Sequence, residues 1–276
     1  MTDLSRVVIT GSGGSIGKEI NFGIPLSHSK LDVTKKKDLD SISIYNPSAI
    51  LHLASVPIKT SEENPLEAYK INVIATTSIA KKAAELDIPL IIISTGAIFN
   101  GPEKKEFKET DTPDPQNVYG QTKYLAEILA GYICPKLLII RTGWLFGFKG
   151  KKDGFSGFIQ RTIDELKTNK LVKATADQKG SPTYIKDFTD SLAKLILSNK
   201  KGIVHLVNKG GASAYDIVSK MKSLINSTSE INSLSSTNSS LKRSKSEVLC
   251  PSSFTMRSWE DAMSEYLRQN TKSNSI

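Results

Sequence analysis

Apolar residues in the first half of the chain fall in short unbroken runs rather than alternating with polar ones. Residues 6–10 (RVVIT), 49–53 (AILHL), 90–94 (LIIIS) and 137–142 (LLIIRT) have strand length and are rich in β-branched side chains. Such runs are the pattern of parallel strands covered on both faces. Between them, residues 66–86 and 118–131 carry apolar positions at helical intervals. Strand and helix in alternation predict an α/β fold, a Rossmann-type doubly wound parallel sheet.

Past Trp144 the pattern loosens. It predicts a helix over 155–168, a short strand at 171–174, and a helix starting near Ile185 whose Phe188, Leu192, Leu195 and Ile196 share one face. A strand at 204–207, a helix over 214–225, an exposed Ser/Asn-rich loop at 227–240 and a closing helix around 259–268 complete the expectation. The division that follows is a dinucleotide-binding domain in residues 1–145 plus about 177–200. A smaller substrate-binding part takes residues 146–176 plus 201–276.

Composition narrows the class. With 276 residues, 38% of them hydrophobic and 24% charged, the chain can bury a sizeable core. No apolar run approaches the ~20 residues of a membrane helix, and the opening MTDLSRVVITGSGG lacks a leader's long apolar stretch, so the expectation is a cytoplasmic protein with no membrane partner. Cys134 and Cys250 are far apart and lack histidines at ligand spacing, so neither a disulfide framework nor a metal site is expected. The net charge of +9 suits an anionic partner. The lysines, however, sit in short groups (35–37, 104–105, 149–152) without interleaved aromatics, which points to solvated loops and to no nucleic-acid partner.

The first strand runs into TGSGGSIG, which sets Gly11, Gly14 and Gly17 at GxxGxxG spacing. Glycines there let the chain turn tightly and let backbone approach a pyrophosphate, with a following helix offering its N–H groups. Gly11, Gly14, Ser15, Ile16 and Gly17 are therefore candidate dinucleotide contacts. The stretch after Gly17 is short for a full helix and a full second strand. Asp32 is the nearest acid for the ribose hydroxyls of NAD(H), whereas Ser12, Lys18, Ser27, His28 or Lys30 could receive the 2′-phosphate of NADP(H); the reading leans to NADP(H).

The chemistry lies downstream. Ser94 and Thr95 fall at the carboxyl end of a strand, where ligands bind in such sheets, although a threonine there can equally close a turn. Tyr119 and Lys123, in NVYGQTK, lie one helical turn apart on a common face. A carbonyl receiving hydride also needs a proton. A phenol can supply it, and a nearby ammonium favours the phenolate and brings its pKa toward the working pH. Trp144, just beyond a strand, can be core or a ligand wall.

In this order the motifs TGSGGSIG, LDVT, HLAS, the asparagine of KINV, ISTGAIFNG, NVYGQTK, RTGWLFG and DQKGSPTYIKD resemble the extended short-chain dehydrogenase/reductases, and more narrowly the dTDP-4-dehydrorhamnose reductases. The resemblance spans the chain to the final RSWEDAMSEYL. It implies Thr95, Tyr119 and Lys123 as the catalytic set. Asp32, Val33, Leu53, Ala54, Ser55 and Asn72 would stand at the cofactor, and Ser94, Thr95, Trp144, Gln178, Pro182 and Thr183 at a nucleotide-sugar substrate. The implied activity is NAD(P)H-dependent reduction of a 4-keto deoxysugar nucleotide in surface-polysaccharide sugar biosynthesis, with a homodimer as the assembly considered. The family usually has an acidic residue and a tyrosine after the threonine, where this chain has Gly96 and Ala97; that departure leaves the particular sugar open. An epimerase or dehydratase using the same dyad, and a non-catalytic nucleotide-binding regulatory subunit, stand as alternatives.

Overall fold

The computed structural model describes residues 2–148, 154–236 and 244–272, with side chains given as far as residue 270. The lysine group at 149–152 and the end of the serine-rich stretch lie outside the described residues. Six parallel strands form the central sheet in the spatial order Gly202–His205, Leu137–Thr142, Leu90–Thr95, Ala49–His52, Val7–Thr10, Ile24–Leu26. The chain starts inside the sheet, adds Ile24–Leu26 on one side and returns across Val7–Thr10 to build the other. The order thus reverses between Val7–Thr10 and Ala49–His52, the crevice where sheets of this type bind ligands.

The unbroken apolar runs are explained by burial on both faces. Consecutive strand residues enter opposite cores: Val7, Ile9, Leu51, Ile91, Ile93, Leu138 and Ile140 on one side, Val8, Ile50, Leu90, Ile92, Leu137 and Ile139 on the other. The first core takes in the helices Gly154–Thr168, Ile185–Leu197, Ala214–Leu224 and Trp259–Lys272. Phe188, Leu192, Leu195 and Ile196 are all buried there, as their shared face predicts. The second core packs under Thr76–Glu85 and the far end of Val118–Ile133.

Three local expectations need correction. No full helix follows the glycine turn: Gly17–Glu19 is a single tight turn, and Ile20 is already extended at φ −87°, ψ 130°. Too few residues separate Gly17 from the strand at Ile24–Leu26 for a helix to form and return. The strand near 204, assigned to the substrate-binding part, is the sixth strand of the central sheet, where Val204 pairs with Ile140. Within the serine-rich stretch, Glu230–Leu234 is a strand rather than a loop, parallel to Leu171–Thr175. Its own side chains are mostly exposed, so the pairing is carried by backbone hydrogen bonds that composition does not announce.

Residues after Trp144 build a wall over the carboxyl ends of the strands from short pairings: Trp144–Phe146 with Pro182–Tyr184, Lys179–Gly180 with Ala212–Ser213, and Val248–Leu249 with Glu106–Phe107. Arg257 ties this wall to the last helix, binding Asp187 at 2.7 and 2.8 Å and Glu265 at 2.6 Å.

Candidate active site

The glycine turn lies at the sheet's point of reversal. Gly11 has φ +68°, and a Cβ there would stand 2.5 Å from the backbone nitrogen of Ala54. A Cβ on Gly17 would stand 2.5 Å from the Cα and carbonyl oxygen of Ser12. Both positions therefore require glycine, and with Gly14 they coil residues 11–17 tightly beside the loop at 53–55. Ser15 and Ile16 are half-buried on this coil. Ser27 follows the second strand directly, with His28, Ser29 and Lys30 exposed after it.

Other candidates for the cofactor are engaged differently. The Asp32 carboxylate accepts the Thr34 N–H at 3.0 Å and its hydroxyl at 2.7 Å and pairs with Lys35 at 3.4 Å; these contacts, the Thr34 hydroxyl first, bring its pKa down to about 2. Val33 is buried with Leu31 in the second core. Asn72 is fully buried. Its Oδ1 accepts from Ser55 Oγ and Val56 N, each at 2.9 Å, and its Nδ2 donates to Thr122 Oγ1 at 3.0 Å. It therefore staples the loop after the third strand to the helix bearing Tyr119, a positioning task that the sequence pattern did not announce. Leu53 continues the third strand, with its N–H on Thr10 O at 3.1 Å.

That helix, Val118–Ile133, begins where Asn117 Oδ1 accepts the Gly120 N–H at 2.8 Å. Gly120 lets it press against the Ala97 carbonyl, where any Cβ would collide. Tyr119 is thereby brought to the same cavity wall as Thr95, close enough for the threonine hydroxyl to act on the phenol. Thr95 Oγ1 also accepts the Ala97 N–H at 3.1 Å, so turn closure and site placement are both its work.

The electrostatics differ from the simple dyad. Burial first, then the Glu247 carboxylate, push the Tyr119 phenol up to about 12, against the lowering by Thr95. Lys123 does not offset this; its own amine is brought down by burial to about 8, with Glu127 opposing. Tyr119 is thus held as a neutral acid. Lys123 instead acts on His52, whose imidazole burial lowers to about 3. That ring bridges Thr10 Oγ1 at 2.7 Å and Thr76 Oγ1 at 3.0 Å. Because the Thr76 hydroxyl donates to Asn72 O at 2.8 Å, His52 Nε2 is the protonated nitrogen and Nδ1 accepts from Thr10.

Thr95 and Tyr119 open onto a cavity of about 530 Å³, which also exposes Asn117, Trp144, Phe155, Phe158, Lys173, Gln178 and Glu247. This is ample for a sugar with part of its nucleotide. Trp144 stacks at a tilt on Phe155, ring centroids 5.2 Å apart, and its indole N–H donates to Glu247. Gly180 is required because a Cβ there would enter the Trp144 ring. Of the residues expected at the substrate, Thr95, Trp144 and Gln178 line the cavity. Ser94, Pro182 and Thr183 are buried behind it. The Ser94 hydroxyl has no hydrogen-bond partner among the described residues, and Pro182–Tyr184 supports the Trp144 strand from behind. Residues unmarked by any motif include Phe155, Phe158, Lys173 and Glu247. Only Asn117, as a helix cap, left a local signal.

Comparisons with known proteins agree with this geometry. A family described as the RmlD substrate binding domain matches residues 5–271. The spore coat polysaccharide biosynthesis protein SpsK of Bacillus subtilis is 30% identical over 77% of this chain and 77% of its own length. The dTDP-4-dehydrorhamnose reductase of Aggregatibacter actinomycetemcomitans is 30% identical over 77% of this chain and 76% of its own. The crystal structure of dTDP-4-dehydrorhamnose reductase from Bacillus anthracis in complex with NADP superposes with a TM-score of 0.88 at 27% identity, covering 97% of this chain and 100% of that one.

Proposed function

We propose, from the premise that this chain belongs to the RmlD substrate binding domain family, that it is an NADPH-dependent reductase of a 4-keto deoxysugar nucleotide. The observation that carries the reading is the convergence of Tyr119 and Thr95 on one cavity wall, on the carboxyl side of the sheet and beyond the glycine coil. A bound dihydronicotinamide supplies the hydride for the keto carbon. Tyr119 gives its phenolic proton to the keto oxygen while Thr95 holds that oxygen in hydrogen-bond reach. A phenol with a pKa near 12 is fully protonated at neutral pH, the state a proton donor needs.

The residues fit the dinucleotide. Gly11 and Gly17 leave no room for a Cβ and so allow backbone to come close to a pyrophosphate. At the ribose end, Ser27 and the exposed His28 and Lys30 follow the second strand directly, while Asp32 is committed to Thr34 and Lys35. This arrangement supports a 2′-phosphate and hence NADP(H) over NAD(H). Trp144 and Phe155 provide an apolar aromatic wall for the sugar nucleotide. A homodimer is part of the reading, supported by Leu66, Ile74 and Tyr132, exposed at 87%, 61% and 83% on the Tyr119 helix and the helical stretch before it.

The test follows nicotinamide absorbance with purified protein, NADPH and a panel of 4-keto deoxysugar nucleotides. Stoichiometric oxidation with at least one sugar is expected, falling by roughly 10²–10⁴-fold in Tyr119→Phe with NADPH affinity retained. No oxidation with any sugar refutes the reading, and isomerised product without net oxidation assigns an epimerase instead.

A further inference from the structure

The carboxylate of Glu247 has no counterpart among the sequence motifs, yet it stands in the cavity with Thr95 and Tyr119. It arrives from a segment 128 positions beyond Tyr119 in the chain, and the fold makes room for it. Gly96, directly after Thr95, faces the Glu247 carbonyl oxygen, which would lie 2.7 Å from any Cβ at that position. The segment is held on its other side too: Glu247 N donates to Lys179 O at 3.0 Å, and Leu249 N to Ser181 Oγ at 2.9 Å. Beyond Glu247 the chain pairs as Val248–Leu249 with Glu106–Phe107. The carboxylate therefore sits on an anchored backbone, and the indole N–H of Trp144 fixes its direction. Its charge is close enough to Tyr119 to act on the phenol.

We propose that Glu247 is a specificity-determining residue of this site: its carboxylate accepts a hydroxyl of the substrate sugar near the keto group and turns away sugars that carry a carboxylate of their own. The proposal rests on the nucleotide-sugar reading above. A preoriented anion in a partly desolvated cavity forms a charge-assisted hydrogen bond to a sugar hydroxyl. The same anion opposes a uronate, since like charges in such a site repel. Gly96 is then the residue that admits this acid from a distant part of the chain, and a neutral, hydroxylated sugar is the class the site takes.

Calorimetric binding of dTDP-glucose and dTDP-glucuronate to the full-length protein and to Glu247→Gln separates the possibilities. Glutamine keeps the shape and an oxygen for Trp144 while removing the charge. The unchanged protein is expected to bind the glucose form about tenfold or more tightly than the glucuronate, and the variant to bring the ratio to within about threefold, with NADPH affinity unchanged in both. A variant that keeps the original ratio overturns the proposal. So does one that loses NADPH together with both sugars, because that marks a structural role. If the unchanged protein binds neither sugar nucleotide, the reading of the site itself has failed and takes this proposal with it. An unchanged ratio removes only the assignment of Glu247.

Discussion

The Asn72 side-chain amide donates to Thr122 Oγ1 at 3.0 Å, and Thr122 in turn donates to the Tyr119 carbonyl at 2.8 Å. Through this link the loop after the third strand sets the position of the proton donor's helix. Removing Asn72 strands buried polar groups on both sides. Asn72→Ala should lower unfolding free energy by roughly 2–4 kcal/mol and reduce turnover at least about tenfold. Urea denaturation and the NADPH oxidation assay check the two effects, and a variant as stable as the parent would contradict the staple.

Gly17 leaves no space for a methyl group against the Ser12 backbone. Ser12 must move in Gly17→Ala, and the coil expected to face the pyrophosphate moves with it. NADPH affinity, read by nicotinamide fluorescence, should fall by about tenfold or more, the effect of losing one or two hydrogen bonds to a charged group. The fold should survive, because residues 11–17 contribute few side chains to either core. Unaltered affinity would remove this coil from the cofactor site.

Glu127 and Arg141 form a buried ion pair, each side chain 3% exposed, with the guanidinium bound at 2.7 to 3.2 Å and placed over the Phe99 ring. Glu127 lies one turn beyond Lys123 and supports its charge. Glu127→Ala leaves a buried guanidinium uncompensated and should cost about 3–5 kcal/mol. Thermal unfolding measures this; a loss below about 1 kcal/mol would mean that water or Glu109 compensates Arg141.

Acid should destabilise the protein before its carboxylates titrate. His52 is brought to about 3 and His205 to about 4, in both cases chiefly by burial. In the unfolded chain both return toward the ordinary value near 6.5. Between those limits the unfolded state binds more protons, so stability is full above about pH 6.5 and is lost as pH falls toward 4 and 3. His52 alone accounts for roughly 3–5 kcal/mol of that loss. Urea midpoints measured from pH 7.5 to 4 should drop steadily, and a flat profile would contradict the buried neutral imidazole.

Much of this protein follows from local order along the chain. The strand runs had to be buried on both faces because they lack polar alternation, and Gly11, Gly17, Thr95, Tyr119 and Lys123 stand where strand ends and helix starts place them. Those relations depend on neighbours within a few residues, which a sequence displays directly. Tertiary structure decided the rest. Asn72 became a staple because its partners come from residues 55, 56 and 122. Tyr119 is held as an acid because burial and a distant carboxylate raise its pKa against the Thr95 hydroxyl, with no lowering from the lysine one turn away. Glu247 meets Gly96 only through a chain crossing, and the missing side chain at 96 reads as a loss until the backbone that fills its place is seen. Desolvation and long-range charge depend on what surrounds a group in space, and the order of residues along the chain does not record it.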